Sequence, residues 1–220
     1  SEMCIRDRKY GLSLDKIEDL DGDGIDELLI LSLGDNGLGQ LTLFHGSEQS
    51  DGWGLLQSPS SITQGAFFGR SISVWGDINN DGFNDLVVGN TGSLNSPSGY
   101  SAVEIFHGNS NGFSLECDKS FQSNLQATLF GYEVEIVSDI NGDNFDDVLI
   151  SEPYNSSNAY RSGMVWVFYG NSTGVANQPD MVMSGQINQL IGINILSAGD
   201  TNSDGFNDVL ISHSGSQLTG

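Results

Sequence analysis

Four stretches of the chain place oxygen-bearing side chains at positions 1, 3, 5 and 9 of a nine-residue segment. They are Asp19, Asp21, Asp23 and Glu27; Asp77, Asn79, Asp81 and Asp85; Asp139, Asn141, Asp143 and Asp147; and Asp200, Asn202, Asp204 and Asp208. Position 7 is apolar each time, as Ile25, Phe83, Phe145 and Phe206, and offers a backbone carbonyl. Position 6 is Gly24, Gly82 and Gly205, with Asn144 in the third stretch, all residue types that tolerate positive φ. Hard oxygen donors on a tight loop suit Ca²⁺, which takes six to eight oxygens. Carboxylates this close together repel one another unless a cation stands among them. The expectation is therefore up to four Ca²⁺ sites. A helical calcium hand does not fit, because it needs a glutamate at position 12, where this chain has Ile30, Val88, Ile150 and Ile211. A catalytic Mg²⁺ site, which uses fewer protein ligands plus substrate phosphate, fits less well. The bland alternative is a set of polar turns, since Asp, Asn and Gly are ordinary turn residues. The recurrence of one pattern four times favours the cation.

The loops belong to a repeat. Tyr10-Gly11, Phe68-Gly69, Phe130-Gly131 and Ile191-Gly192 each begin nine residues before a first-position aspartate. A second landmark, Phe44-His45-Gly46, Phe106-His107-Gly108 and Phe168-Tyr169-Gly170, recurs in step with the first. The period of about 60 residues divides the chain into a leader at 1–9, units at 10–67, 68–129 and 130–190, and half a unit at 191–220. The leader is polar and charged and resembles a translated sequencing-adapter scar, so it is expected to be non-native. The last unit stops after its second strand, and the chain reads as a fragment of a longer protein.

Within a unit, a first strand such as 71–75 precedes the loop. A nearly all-apolar second strand follows it: 28–31, 86–88, 148–150 or 209–211. These runs are too short for helices and rich in β-branched residues. A third strand ends at the second landmark, as in 165–169, and a fourth lies in the variable stretch beyond. Four antiparallel strands per unit make a β-propeller blade, so the fold class is all-β, with about three and a half blades. One blade buries its faces only against its neighbours.

Composition agrees. The net charge is -22, from 29 acidic and 7 basic residues, which argues against nucleic acid and anionic membranes as partners. Twenty-nine glycines and only four prolines suit many short strands joined by tight turns. No apolar run is long enough to span a membrane as a helix. Cys4 and Cys117 give no disulfide framework. Asn155-Ser156-Ser157 and Asn171-Ser172-Thr173 match the glycan-acceptor pattern weakly.

The Phe-Gly start, the nine-residue acidic loop and the glycine-led third strand together resemble FG-GAP repeats, the blades of the integrin α-subunit propeller and of many secreted bacterial proteins. The resemblance covers residues 10–220. It implies a seven-bladed propeller with calcium in loops between first and second strands, an extracellular setting, and a role in adhesion or recognition. Tyr10 and Ile191 depart from the family phenylalanine, Glu27 departs from a loop aspartate, and the third strands lack a clean Gly-Ala-Pro. These departures set the chain closer in style to the bacterial relatives.

No catalytic constellation stands out. His45, His107 and Tyr169 share one repeat position and read as structural; His213 has no evident partner. No nucleophile elbow, phosphate-cradling loop or zinc-ligand cluster is present. Trp53 and Tyr160 read first as blade packing, with sugar or protein contact as the alternative. The leading expectation is a non-catalytic, calcium-binding extracellular or cell-surface module for adhesion or for protein or glycan recognition. Its partners would be a ligand on the propeller face and the remaining blades, without membrane insertion. The other reading is an accessory propeller of a secreted hydrolase of phospholipase or polysaccharide-degrading type.

Overall fold

A computed structural model describes residues 9–17, 24–33, 39–45, 54–57, 68–91, 101–123, 125 and 127–215. Residues 1–8 of the 1–9 leader and most of the first acidic loop lie outside the described residues. Lys9 is described, and it pairs with Leu33.

The first unit is a meander of β1 (Lys9–Ile17), β2 (Glu27–Leu33), β3 (Gly39–His45) and β4 (Gly54–Gln57). The second contains β5 (Phe68–Ser73), β6 (Leu86–Asn90), β7 (Ser101–Phe106) and β10 (Lys119–Ser123), with a ribbon of β8 (Gly108–Asn109) and β9 (Gly112–Phe113) inserted before the last strand. The third repeats this plan with β11 (Val134–Val137), β12 (Asp147–Glu152), β13 (Met164–Phe168) and β16 (Met181–Ser184), and a ribbon of β14 (Gly170–Asn171) and β15 (Gly174–Val175). The fourth is the pair β17 (Ile191–Gly199) and β18 (Asp208–His213). All pairings are antiparallel. The architecture is all-β, a partial β-propeller. Among the described residues no helix is long and apolar enough to cross a membrane.

The core lies between sheets. Successive residues of a strand point to opposite faces. Leu86 and Val88 therefore join Leu29, Leu41 and Leu43 of the first unit, while Val87 between them joins Val134, Val148 and Ile150 of the third. The third unit repeats the division: Val148 and Ile150 face backwards, and Leu149 faces Ile195 and Val209 of the fourth. A strand buried on both faces has no polar face, which is why the second strands read as unbroken apolar runs. Fully burying one such side chain is worth roughly 1.5–3 kcal/mol, and nearly all of it depends on a neighbouring unit.

The first landmark has a packing reason. Gly131 sits at φ 76°, and a Cβ there would come within 2.8 Å of Val103 Cγ2 and 2.9 Å of the Ala102 carbonyl in the preceding unit. Gly192 at φ 83° stands in the same relation to Ser151 and Val165 of the third unit. The glycine thus presses each unit's start onto the sheet before it. It also displaces the first strand from its expected span. The stretch expected at 71–75 is observed at 68–73, because Phe68 pairs with Asn90 across an irregularity before Ser71 regains the ladder.

Candidate metal centre

The acidic loops connect β5 to β6, β11 to β12 and β17 to β18, at the same end of each sheet. In all three the first-position carboxylate accepts backbone N–H groups of its own loop. Asp77 Oδ1 accepts from Asp81 at 3.0 Å and its Oδ2 from Gly82 at 2.7 Å. Asp139 accepts likewise from Asp143 at 3.1 Å and Asn144 at 2.8 Å, and Asp200 from Asp204 at 3.1 Å and Gly205 at 3.0 Å. The third-position amide oxygens of Asn79, Asn141 and Asn202 accept the same fifth-position N–H, at 3.0, 2.9 and 2.8 Å. Asp81, Asp143 and Asp204 each accept the seventh-position N–H, of Phe83, Phe145 and Phe206, at 3.0 Å.

Two left-handed residues produce this wrap. Position 6 is left-handed at Gly82, Asn144 and Gly205, and at Gly24 in the first loop. Position 4 is left-handed as well, at Asn80, Gly142 and Ser203, which the sequence reading did not single out. Flanking position 5, they turn the chain so that positions 1 and 3 meet around one N–H. The charge is held accordingly. At Asp139 partial burial works against ionisation, but the N–H groups of Asn144, Gly142, Asp143 and Asn141 outweigh it and keep the carboxyl below its ordinary range.

The ninth position sits differently. Asp85 is fully buried; its Oδ2 accepts the Ile78 N–H at 2.8 Å and its Oδ1 the Gly108 N–H at 2.8 Å. Asp147 does the same with Ile140 at 2.9 Å and Gly170 at 3.0 Å. These bonds explain the second landmark, whose glycine donates to the loop's last carboxylate. A side chain at Gly108 or Gly170 would also overlap the carbonyl of Asn84 or Asp146. Asp208 accepts from the N–H and hydroxyl of Thr201. Among the described residues no three Asp, Glu, His or Cys side chains converge on one point. Each of the three described loops instead gathers two aspartates and an asparagine, with the ninth carboxylate held on backbone N–H groups in the second and third and on the Thr201 N–H and hydroxyl in the fourth. In the first loop Asp19, Asp21 and Asp23 lie outside the described residues; Ile25 is half-buried and Glu27 buried. The donor types of all four loops, carboxylate, amide and carbonyl oxygen, remain those that fit a hard cation.

Position 8 carries a further contact that sequence reasoning missed. Asp146 Oδ2 accepts the Asp77 N–H at 2.8 Å, its Oδ1 the Asp139 N–H at 3.4 Å, and its own N–H donates to the Asp77 carbonyl at 3.3 Å. It ties the second loop to the third. The visible signal was an Asp or Asn at this position in every loop: Asp26, Asn84, Asp146 and Asn207. His107 stands 3.2 Å from Asp85 Oδ1, and a Cβ at Gly174 of the next unit's ribbon would come within 2.8 Å of its Nε2. The Asp85 carboxylate beside it raises its pKa. This is the surrounding of a packing residue.

Comparison with known proteins fits this geometry. A model of the FG-GAP repeat matches residues 130–168, and one of an FG-GAP-like repeat matches residues 19–88. The chain is an FG-GAP repeat protein. Its similarity to integrin α chains runs over much of its length. It is 24% identical to integrin alpha-V of Gallus gallus over 89% of this chain and 19% of the relative. Against integrin alpha-PS5 of Drosophila melanogaster the identity is 33%, over 62% of this chain and 14% of the relative. Against integrin alpha-3 of Mus musculus it is 29%, over 56% and 11%. The FG-GAP chain thus spans about a fifth or less of these relatives' length.

Proposed function

We propose that this chain is a non-catalytic, calcium-binding propeller module for extracellular adhesion or for recognition of a protein or glycan. The observation that carries the reading is the shared wrap of three loops, in which the side chains at positions 1 and 3 both accept the fifth-position backbone N–H, with left-handed residues on either side. Asp77, Asn79 and Asp81, with the Phe83 carbonyl, would hold one ion. Asp139, Asn141, Asp143 and Phe145, and Asp200, Asn202, Asp204 and Phe206, would hold two more. The first loop would add Asp19, Asp21, Asp23 and Ile25. Asp85, Asp147, Asp208 and Glu27 complete the sets through whatever oxygen the backbone leaves to share. Bound Ca²⁺ would screen the crowded carboxylates and stiffen one end of each blade, leaving the opposite end to present a ligand surface. The similarity to integrin α chains supports the adhesion and cell-surface half of the reading, with the rest of a propeller as the structural partner.

The test is a thermal melt of the chain in calcium, in magnesium and in chelator. At about 1 mM Ca²⁺, and with affinities near the tight end of extracellular modules, each site adds about 1.4 kcal/mol. Calcium should raise the midpoint by several degrees, magnesium should not, and Asp77→Ala with Asp139→Ala should remove much of the gain. A folded chain whose melt ignores calcium would make the loops polar turns.

A further inference from the structure

The second and third units leave a cleft of about 420 Å³ between them. Its apolar walls are Phe121 on β10, Trp166 and Phe168 on β13, and Phe130. Phe121 and Phe168 pack at a tilt of 37° with centroids 4.4 Å apart, and Phe130 meets Trp166 edge-on at 6.3 Å. Among these rings lies a carboxylate, Glu152 at the end of β12, only 1% exposed. Its Oε2 accepts from Asn155 Nδ2 at 2.7 Å and Trp166 Nε1 at 3.2 Å, and its Oε1 from the Ser123 hydroxyl of the second unit at 3.0 Å.

Every one of those donors is neutral. Among the described residues no basic side chain forms an ion pair with Glu152. A buried carboxylate answered only by neutral donors is costly, and a cation placed against it recovers much of that cost. Aromatic faces attract the same kind of charge. The rim already shows the preference: Lys119 holds its ammonium 5.7 Å from the Phe121 ring centre while donating to Asn177 Oδ1. The chain's net charge of -22 favours a cationic ligand and opposes an anionic one.

The repeat separates what builds a blade from what is particular to this cleft. Phe130 has Phe68 and Tyr10 as counterparts, and Phe168 has Phe106 and Phe44. Glu152, by contrast, is matched by Ser32, Asn90 and His213, and Trp166 by Thr42 and Glu104. The repeat fold therefore does not require a glutamate and a tryptophan here.

We propose that this cleft binds an alkylammonium group, with Glu152 supplying the countercharge and Trp166 and Phe121 the aromatic faces. The site is distinct from the acidic loops. The test follows the Trp166 indole N–H in nuclear magnetic resonance spectra of the full chain, assigned with Trp166→Phe. Choline, tetramethylammonium and Nα-acetyl-lysine amide are titrated at constant ionic strength, in calcium and again in chelator. A saturable shift is expected at millimolar ligand, weakened about tenfold or more by Glu152→Gln and about threefold by Phe121→Leu. Binding by the lysine amide would mark a peptide side chain as the source, and binding by the methylated amines alone a small quaternary amine. No saturation by about 50 mM of any of the three, equal binding by Glu152→Gln, or equal binding of methyl glucoside would overturn the proposal. The Phe121→Leu variant keeps it testable if Glu152→Gln fails to fold, and persistence in chelator separates it from the calcium reading.

Discussion

The third and fourth units carry almost the same second strand, Asp147-Val-Leu-Ile-Ser-Glu152 and Asp208-Val-Leu-Ile-Ser-His213, yet the two strands meet opposite surroundings. Every residue of β12 is buried, whereas Leu210 of β18 is 60% exposed and its cross-strand partner Leu196 is 56% exposed. The same contrast reaches the charged end of each strand. Burial pushes the Asp147 carboxyl up to about 6, while the Thr201 hydroxyl and N–H hold Asp208 below its ordinary range. The lesson is that a blade strand does not bury itself. Its sequence makes it fit to be covered, and the neighbouring sheet decides whether it becomes core.

The largest test of that difference is a matched pair of truncations. Leu149→Ala removes a fully buried side chain at the join between the third and fourth units and should cost about 3 kcal/mol in urea unfolding. Leu210→Ala, at the counterpart position, should cost less than about 1 kcal/mol. Equal losses would mean that β18 is covered in solution, and the comparison would then describe two buried strands.

A smaller effect is expected at the loops, where neighbours differ in the same sense. The third loop is held on both sides: Asp146 reaches the second loop, and Gly142 lies against the Phe206 ring of the fourth. Under the calcium reading, Asp139→Ala and Asp200→Ala should each abolish one site in a calorimetric titration and about 1.4 kcal/mol of calcium-dependent stability. Asp139→Ala should also weaken binding at the second loop, because it loosens the chain that carries Asp146. Identical titrations for the two variants would show that the loops load independently.

How far the sequence reached follows the same line between local and non-local structure. The repeat, the four-stranded meander and the oxygen pattern of the loops were legible, because each rests on residue type at fixed spacing. The ribbons at 108–113 and 170–175 were not drawn, although Gly108-Asn-Ser-Asn-Gly112-Phe113 and Gly170-Asn-Ser-Thr-Gly174-Val175 recur 62 residues apart and could have shown them. The turn of Asp85 and Asp147 onto backbone N–H groups was beyond a linear reading, since spacing gives a ligand type and not the direction of its lone pairs. Asp146 was hidden for the same reason, because its partner Asp77 stands in another unit. Asn155 shows the converse: an acceptor-like triplet by sequence, it is buried and bonded to Glu152, in no position to take a glycan.

The finest division between the two strands is a matter of protons. In chelator, the carboxyl resonance of Asp147 should titrate near 6 and that of Asp208 below the ordinary carboxylate range. The two signs of linkage are opposite. Asp147, with its folded pKa raised, contributes stability that is fully present at acid pH and lost as pH rises through about 6. Asp208, with its folded pKa lowered, contributes stability present at neutral pH and lost as pH falls through that lowered value. Asp147→Asn should therefore narrow the stability gap between pH 5 and pH 7, while Asp208→Asn should leave that interval unchanged. Under the calcium reading, added Ca²⁺ would then distinguish two roles for the ninth position. If Asp147 shares an oxygen with a bound ion, calcium will drag its titration downward. If its two backbone donors occupy it fully, the titration will stay near 6 while the rest of the loop responds.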